Sequence, residues 1–395
     1  MAAKPRFDGE WVRLGELISK APIERCGSRE YPVYSMTMRD GIVEQAGRFK
    51  KTIASKDTSS YKVVKKNQLV VGFPIDEGVI YVQNHDAPGI MSPAYNVWDF
   101  DCNRVNPAYL ELALHGPRSM AYYADKMRGT TARRRTLTTD GLCNLEIPLP
   151  SIDEQIRVVH VLDGVRSLIK GANRQIAELD TLVKSRFVEM FGDSDSIEEK
   201  WVLKALIGCV DSIESGRSPK CQAIARKGKE PGVLKLSALS SGVFLPDENK
   251  AMCVGEKVVP SKEVMRGDIL IARKNTPELV GACVIVRDEV SNLMFPDIVF
   301  RMHPKDDING DYLLALLSSP SFSRKVKSLA HGSNKSMSNI PKSELASILI
   351  PVPPLSLQQE FASFVAEVDK SRFVIQQQIE KLQMLYDSLA QEYFS

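Results

Sequence analysis

The sequence predicts an α+β protein: two mixed α/β domains separated by two long antiparallel, coiled-coil-like helices, in a pseudo-two-fold internal repeat. Three observations carry this expectation. The chain repeats itself at a fixed offset, and each copy ends in an apolar stripe at helical spacing. Ahead of each stripe, short β-branched runs alternate with short apolar helices.

The repeat comes first because it organises the rest. Tyr109 and Tyr312 stand 203 positions apart, as do Pro93 with Pro296, Leu110 with Leu313, Leu114 with Leu317, Pro117 with Pro320, Gly129 with Gly332 and Leu142 with Leu345. The same register carries IPLP (147–150) onto IPVP (350–353), Gln155 onto Gln358, Val165 onto Val368, Ile176 onto Ile379, Leu182 onto Leu385 and Phe191 onto Phe394. Earlier in each half the offset shrinks, so that WVRL (11–14) faces WVLK (201–204) and KNQLVV (66–71) faces RGDILI (266–271). The expected organisation is a first domain over 1–150, a first spacer helix over 151–194, a second domain over 195–353 and a second spacer helix over 354–395.

Each helix follows a proline-marked entrance. SIDE (151–154) and SLQQ (356–359) both fit a capping box, in which a serine oxygen and an acid or amide three residues on satisfy free backbone donors. Apolar residues then recur at three and four: Val158, Leu162, Val165, Ile169, Ala172, Ile176, Leu179, Val183 and Phe187, and in the second copy Phe361, Val365, Val368, Ile375, Ile379, Leu382, Tyr386 and Leu389. So narrow a stripe suits a paired helix. Each of about 40 residues would extend roughly 60 Å. Gly164 and Gly171 weaken the first helix locally and mark a place for a bend. A stalk or dimerisation coil is the plainer use of such helices, and an internal ruler is the preferred one.

Within the halves, QLVV (68–71), VIYV (79–82), ILIA (269–272) and CVIV (283–286) have strand length, and YLELAL (109–114) and YLLALL (312–317) fit short core helices. A length of 395 residues suffices for two cores, and 43% hydrophobic with 26% charged residues is the composition of a globular protein. No apolar run approaches the roughly 20 residues of a membrane span, so the expected location is the cytoplasm. Seven cysteines without a CxxC pair suit reduced thiols.

The motif search for catalysis is empty. The chain has no GxxxxGK[ST] loop, no GxGxxG after a strand, no HExxH and no GxSxG elbow, so neither a catalytic set nor a metal site is expected. A net charge of +3 excludes a uniformly basic nucleic-acid binder and leaves local patches. One is MRGTTARRRTLTTDG (127–141), with Arg128, Thr130, Thr131, Arg133, Arg134 and Arg135. Its repeat partner (324–339) holds Arg324, Lys325, Lys327, His331, Ser333, Asn334, Lys335 and Ser336. Basic, hydroxyl-rich segments are what phosphate contacts need, and arginine can also read guanine edges. ARKNTPE (272–278) adds Arg273, Lys274 and Asn275, where the first half has GFPIDEG (72–78) with no base. Two readers so different would read different targets. A protein-binding coiled-coil adaptor, or an enzyme with an unrecognised site, is the competing reading.

The pattern as a whole resembles the specificity subunits of type I restriction-modification systems, the HsdS family. The resembling features are IPLPSIDEQ (147–155), IPVPPLSLQQ (350–359), FVEMFGD (187–193), SGRSP (215–219), LKLSALSSG (234–242), GDILIARKN (267–275) and GSNKSMSNI (332–340). In the first half EYPVYSMTMRDG (30–41) replaces LKLSALSSG. The resemblance implies two target recognition domains, each reading one short half of an asymmetric bipartite site in double-stranded DNA, with the helices fixing the gap between the halves. It implies no catalysis in this chain and no cofactor bound by it. Two modification (methyltransferase) subunits carrying S-adenosylmethionine would join it on the helices, and restriction subunits using ATP and magnesium can join these. Carried onto this sequence, GTTARRR (129–135), ARKN (272–275), the GSNKSMS loop (332–338) and Ser237 become the candidate DNA contacts.

Overall fold

The computed structural model describes residues 9–38, 40–48, 57–127, 135–193, 197–331 and 337–395. The chain forms two compact units, one of Met1–Asn173 with Gln376–Ser395, the other of Arg174–Ile375. The breaks therefore fall inside the long helices and not at their entrances, because each helix gives its first half to one core and its second half to the other.

In the first unit a four-stranded antiparallel sheet runs in the order Ile18–Lys20, Asn96–Phe100, Gln68–Val71, Ile80–Val82. In the second unit the order is Val210–Ser215, Val299–Pro304, Ile269–Ala272, Cys283–Ile285. Both central strands read as unbroken apolar runs because both faces of each sheet are covered, while side chains alternate between those faces. Leu69 joins the cluster under the helices, and Val70 joins Tyr34, Ile42, Val64, Tyr81 and Met91 on the other side. Ile269 and Ile271 likewise face the helices, and Leu270 faces Leu234, Leu239, Val284 and Phe295.

The helices Pro107–Leu114 and Gly310–Ser318 begin on Asn106 and Asn309, whose side-chain oxygens accept the next free backbone donors. Pro117 and Pro320 open the following helices, where a missing N–H is harmless. Tyr109 donates its hydroxyl to the Pro148 carbonyl at 3.0 Å, and Tyr312 does the same to Pro351 at 2.8 Å. Those prolines sit in small two-stranded sheets, Glu10–Arg13 with Glu146–Leu149 and Val202–Ala205 with Leu349–Val352. The registers correct the expected alignment near the start of each half. Trp11 faces Pro148 and Leu203 faces Pro351, so Trp11 corresponds to Leu203 and not to Trp201. Trp201 instead donates its indole N–H to the Phe191 carbonyl.

Each long helix is continuous, Ile152–Phe191 and Leu355–Phe394, 40 residues apiece, with no break at Gly164 or Gly171. Only half of the expected first capping box forms: the Ser151 oxygen accepts the Glu154 N–H at 3.3 Å, while the Glu154 carboxylate turns to Arg157. The second does not form, because this helix starts at Leu355 and Ser356 already lies in its first turn. What both entrances share is a buried glutamine. Gln155 accepts the Asn106 N–H at 2.7 Å and donates to the Pro150 carbonyl at 2.9 Å. Gln358 accepts the Asn309 N–H and donates to the Pro353 carbonyl, both at 2.8 Å. Each ties the helix entrance to the core helix cap, and a buried amide that is fully bonded carries little cost.

Within each unit the two helix halves run antiparallel. In the second unit Arg186 bridges Glu360 and Arg372 bridges Asp180, while Phe187 and Phe191 pack on Phe361 and Tyr312 with ring centroids 4.8–5.8 Å apart. In the first unit Val158 and Leu162 share a core with Tyr393 and Phe394, and Arg166 lies over Tyr386. Gly116 is required there: a Cβ would stand 2.6 Å from the Phe394 Cβ. Among the described residues no helix is long and apolar enough to cross a membrane.

Candidate nucleic-acid interface

In the second unit the central strand Ile269–Ala272 ends by delivering ARKN to the rim of the sheet. The Arg273 and Lys274 N–H groups both point to the Ile298 carbonyl, at 3.0 and 3.3 Å. Lys274–Asn275 then pairs antiparallel with Ser338–Asn339, which brings two of the segments singled out in the sequence into one ribbon. Arg273 is half-buried over the Phe300 ring, 5.0 Å from its centroid, with Nε on Asn339 Oδ1 and Nη1 on Ser215 Oγ, each at 3.3 Å. Asn275 is 7% exposed, and its Nδ2 has no hydrogen-bond partner among the described residues. A buried donor left open costs about 1–3 kcal/mol, so such a group is a place to look for an outside acceptor.

Ser237 opens the short helix Ser237–Ser240, beside the core on the opposite face of the sheet from the core helices. Its hydroxyl bonds the Glu248 carboxylate at 2.5 Å, and Lys235 holds the same group at 2.8 Å. Hydrogen bonds from Lys235 and then Ser237 hold the Glu248 carboxyl below its ordinary range.

Several bases of the second basic segment are engaged inside the unit. Lys325 pairs with Glu198, Lys327 donates to the Glu278 carbonyl at 2.8 Å and His331 meets Glu344 at 2.8 Å. In the first unit Arg135 forms two ion pairs, with Asp76 and Glu77, both at 2.5 Å. The GFPIDEG loop thus supplies the acids that receive this base. Arg128, Thr130, Thr131, Arg133, Arg134, Ser333, Asn334, Lys335 and Ser336 lie outside the described residues.

The Ser215–Ser218 segment lies outside the candidate DNA contacts named from the sequence. It abuts the ribbon through Ser215, and Arg217 projects from it with its side chain 52% exposed. The signal lies in SGRSP, where a glycine allows close backbone approach and the arginine beside it stays outside.

Among the described residues no group of three or more histidines, cysteines and acids is placed to hold a metal ion. All seven cysteines carry free thiols, and burial pushes Cys283 up to about 11.

Two α+β units of like strand order are each closed by halves of two long helices, and the second carries Arg273 and Lys274 at the rim of its sheet. Residues 212–384 match the type I restriction modification DNA specificity domain. The chain is 29% identical over 163 residues to the type I restriction enzyme EcoEI specificity subunit of Escherichia coli, covering 41% of this chain and 27% of that protein. It is 22% identical over 263 residues to the EcoKI specificity subunit of Escherichia coli (strain K12), covering 62% of this chain and 55% of that one. The chain thus spans between about a quarter and about half of the length of these relatives. A solved chain from work on complex assembly and conformational transition of the type I R-M system shares the fold, with 19% identity, a TM-score of 0.54 and 98% coverage of both chains. Residues 212–384 are thus similar to the DNA specificity domain of type I restriction-modification specificity subunits, and the EcoEI and EcoKI subunits resemble 41% and 62% of the chain.

Proposed function

We propose that the chain is the non-catalytic DNA-recognition subunit of a type I restriction-modification enzyme, and that each unit reads one half of an asymmetric bipartite site in double-stranded DNA. The observation that carries this reading is a contrast at matching places in the two units. After the central strand the second unit offers Arg273, Lys274 and Asn275 paired with Ser338–Asn339, whereas the first unit offers Asp76 and Glu77 bound to Arg135. Like frames with unlike rims suit two different half-sites, since base discrimination depends on which donors and acceptors reach the groove. GTTARRR (129–135), ARKN (272–275), Ser237 and residues 333–336 are the contacts assigned to DNA.

The long helices set the gap between the half-sites and receive two modification subunits. Their exposed apolar residues support the second role: Val161, Leu168, Met384 and Leu385 in the first unit, Leu182, Phe373 and Val374 in the second. S-adenosylmethionine sits on those partners, ATP and magnesium on two restriction subunits that join them, and the assembly works in the cytoplasm on DNA with no membrane contact.

The test is selection from a random duplex pool by the full chain with its modification subunit. Two short blocks at a fixed separation should be enriched, and affinity should fall steeply with salt, by about 0.9 log units per log of salt for each phosphate contact. A pool with no paired blocks would instead mark the chain as a protein-binding adaptor.

A further inference from the structure

The Ser215–Ser218 segment, which leaves the strand Val210–Ser215, is held at every residue. A Cβ on Gly216 would stand 2.0 Å from the Phe295 carbonyl oxygen and 2.4 Å from that of Pro296, so the backbone lies closer to those carbonyls than any other residue allows. The Gly216 N–H donates to the Val299 carbonyl at 3.3 Å and the Arg217 N–H to that of Phe295 at 3.0 Å. The Ser218 hydroxyl bonds the Asp297 carboxylate and accepts the Asp297 N–H at 3.2 Å. Ser215 Oγ receives Arg273, which is itself fixed to Asn339 and stacked on Phe300.

What this bonding presents is one side chain. The Arg217 guanidinium is half-exposed, and the Glu256 carboxylate stands 3.8 Å from it, beyond hydrogen-bond reach. Glu256 already accepts the Lys220 N–H at 3.4 Å. A guanidinium offers a planar fork of donors that suits paired acceptors, and a rigid mount removes much of the ordering cost of using it.

We propose that Arg217 is a DNA contact of the second unit, presented by a segment bonded at each residue and joined through Arg273 to the Lys274–Asn275 ribbon. The acceptors are a pair of oxygen or nitrogen atoms on the duplex, either a guanine edge or a backbone phosphate. This rests on the reading of the second unit as a DNA reader.

The experiment measures binding of the full chain with its modification subunit to the duplex selected by the wild type. Arg217→Ala is a surface change and should weaken binding roughly tenfold or more, with the first half-site preference intact. Relaxed preference at one position of the second half-site would identify a base edge. A uniform loss, with a salt slope shallower by about one, would identify a phosphate. Gly216→Ala keeps the arginine but must move the backbone that carries it, and should weaken binding at the same half-site. Wild-type affinity in Arg217→Ala, on a duplex that the wild type binds specifically, overturns the proposal. A wild type that selects no paired site removes the underlying reading, and this contact with it.

Discussion

Glu111 lies half-buried in the helix Pro107–Leu114, one oxygen accepting the Val82 N–H at 2.8 Å. Burial pushes its carboxyl above the ordinary range, against that hydrogen bond and the pull of His115 and Arg166. A carboxyl whose pKa is higher folded than unfolded binds its proton more tightly in the native state. Native stability therefore falls as pH rises from the ordinary carboxylate value through the raised one, and the cost is complete above it. Glu111→Gln removes the charge and keeps an acceptor for Val82. It should raise the melting midpoint at about pH 8 and lose that advantage at about pH 4; a lower midpoint than the wild type at the higher pH would show that the carboxylate is instead stabilised by its neighbours. Other residues at this scale were half-legible. The repeat marked Gln155 and Gln358 as identities, yet only the fold shows why an amide recurs there, since its partners are backbone groups about fifty positions upstream. Arg135 was legible as a base in a basic segment. Its acids, Asp76 and Glu77, lie nearly sixty positions away, at a distance in sequence over which local pattern says nothing.

Among the elements, the long helices were the most readable, because a spacing of three and four over eleven turns leaves few alternatives. The burial follows the predicted stripe: Val158, Leu162, Phe361 and Val365 are buried, while Ile176, Leu179, Ile379 and Leu382 are half-buried. The first helix runs on through both glycines, because a glycine lowers helix propensity without removing a hydrogen bond. A Cβ at Gly164 or Gly171 would meet nothing within 4 Å. Gly164→Ala and Gly171→Ala should each stabilise the isolated chain by about 1 kcal/mol, read as a higher midpoint in thermal or urea unfolding. A loss of stability would mean that the backbone there is not ordinary helix. The strands were legible as positions but not as registers. WVRL and WVLK invited a match through their tryptophans, whereas pairing with IPLP and IPVP is decided by Leu14 and Leu206, both fully buried, which fill matching places in the two cores. A register slip of one residue would turn buried side chains outward, so the core and not the letters sets the alignment.

At the scale of the whole molecule, the proposed division of labour separates what is read from how far apart it is read. The rims, with Arg273, Lys274 and Asn275 in one unit and Arg135 with its acids in the other, belong to the units; the gap belongs to the helices. A change confined to the helices should then alter spacing and leave both half-sites as they were. Seven residues added to each helix, after Asn173 and after Ile375, keep the apolar stripe in phase, because the stripe closes on itself every two turns. Such an insertion lengthens a helix by about 10 Å, the rise of roughly three base pairs. Selection from a random duplex pool should recover the same two blocks with the gap longer by about three base pairs. A four-residue insertion in each helix rotates the stripe out of register, and should cost stability before it changes spacing. If the seven-residue variant folds, binds and keeps the original gap, the helices do not measure the site. The interval would then be set by the units themselves or by the subunits that join them.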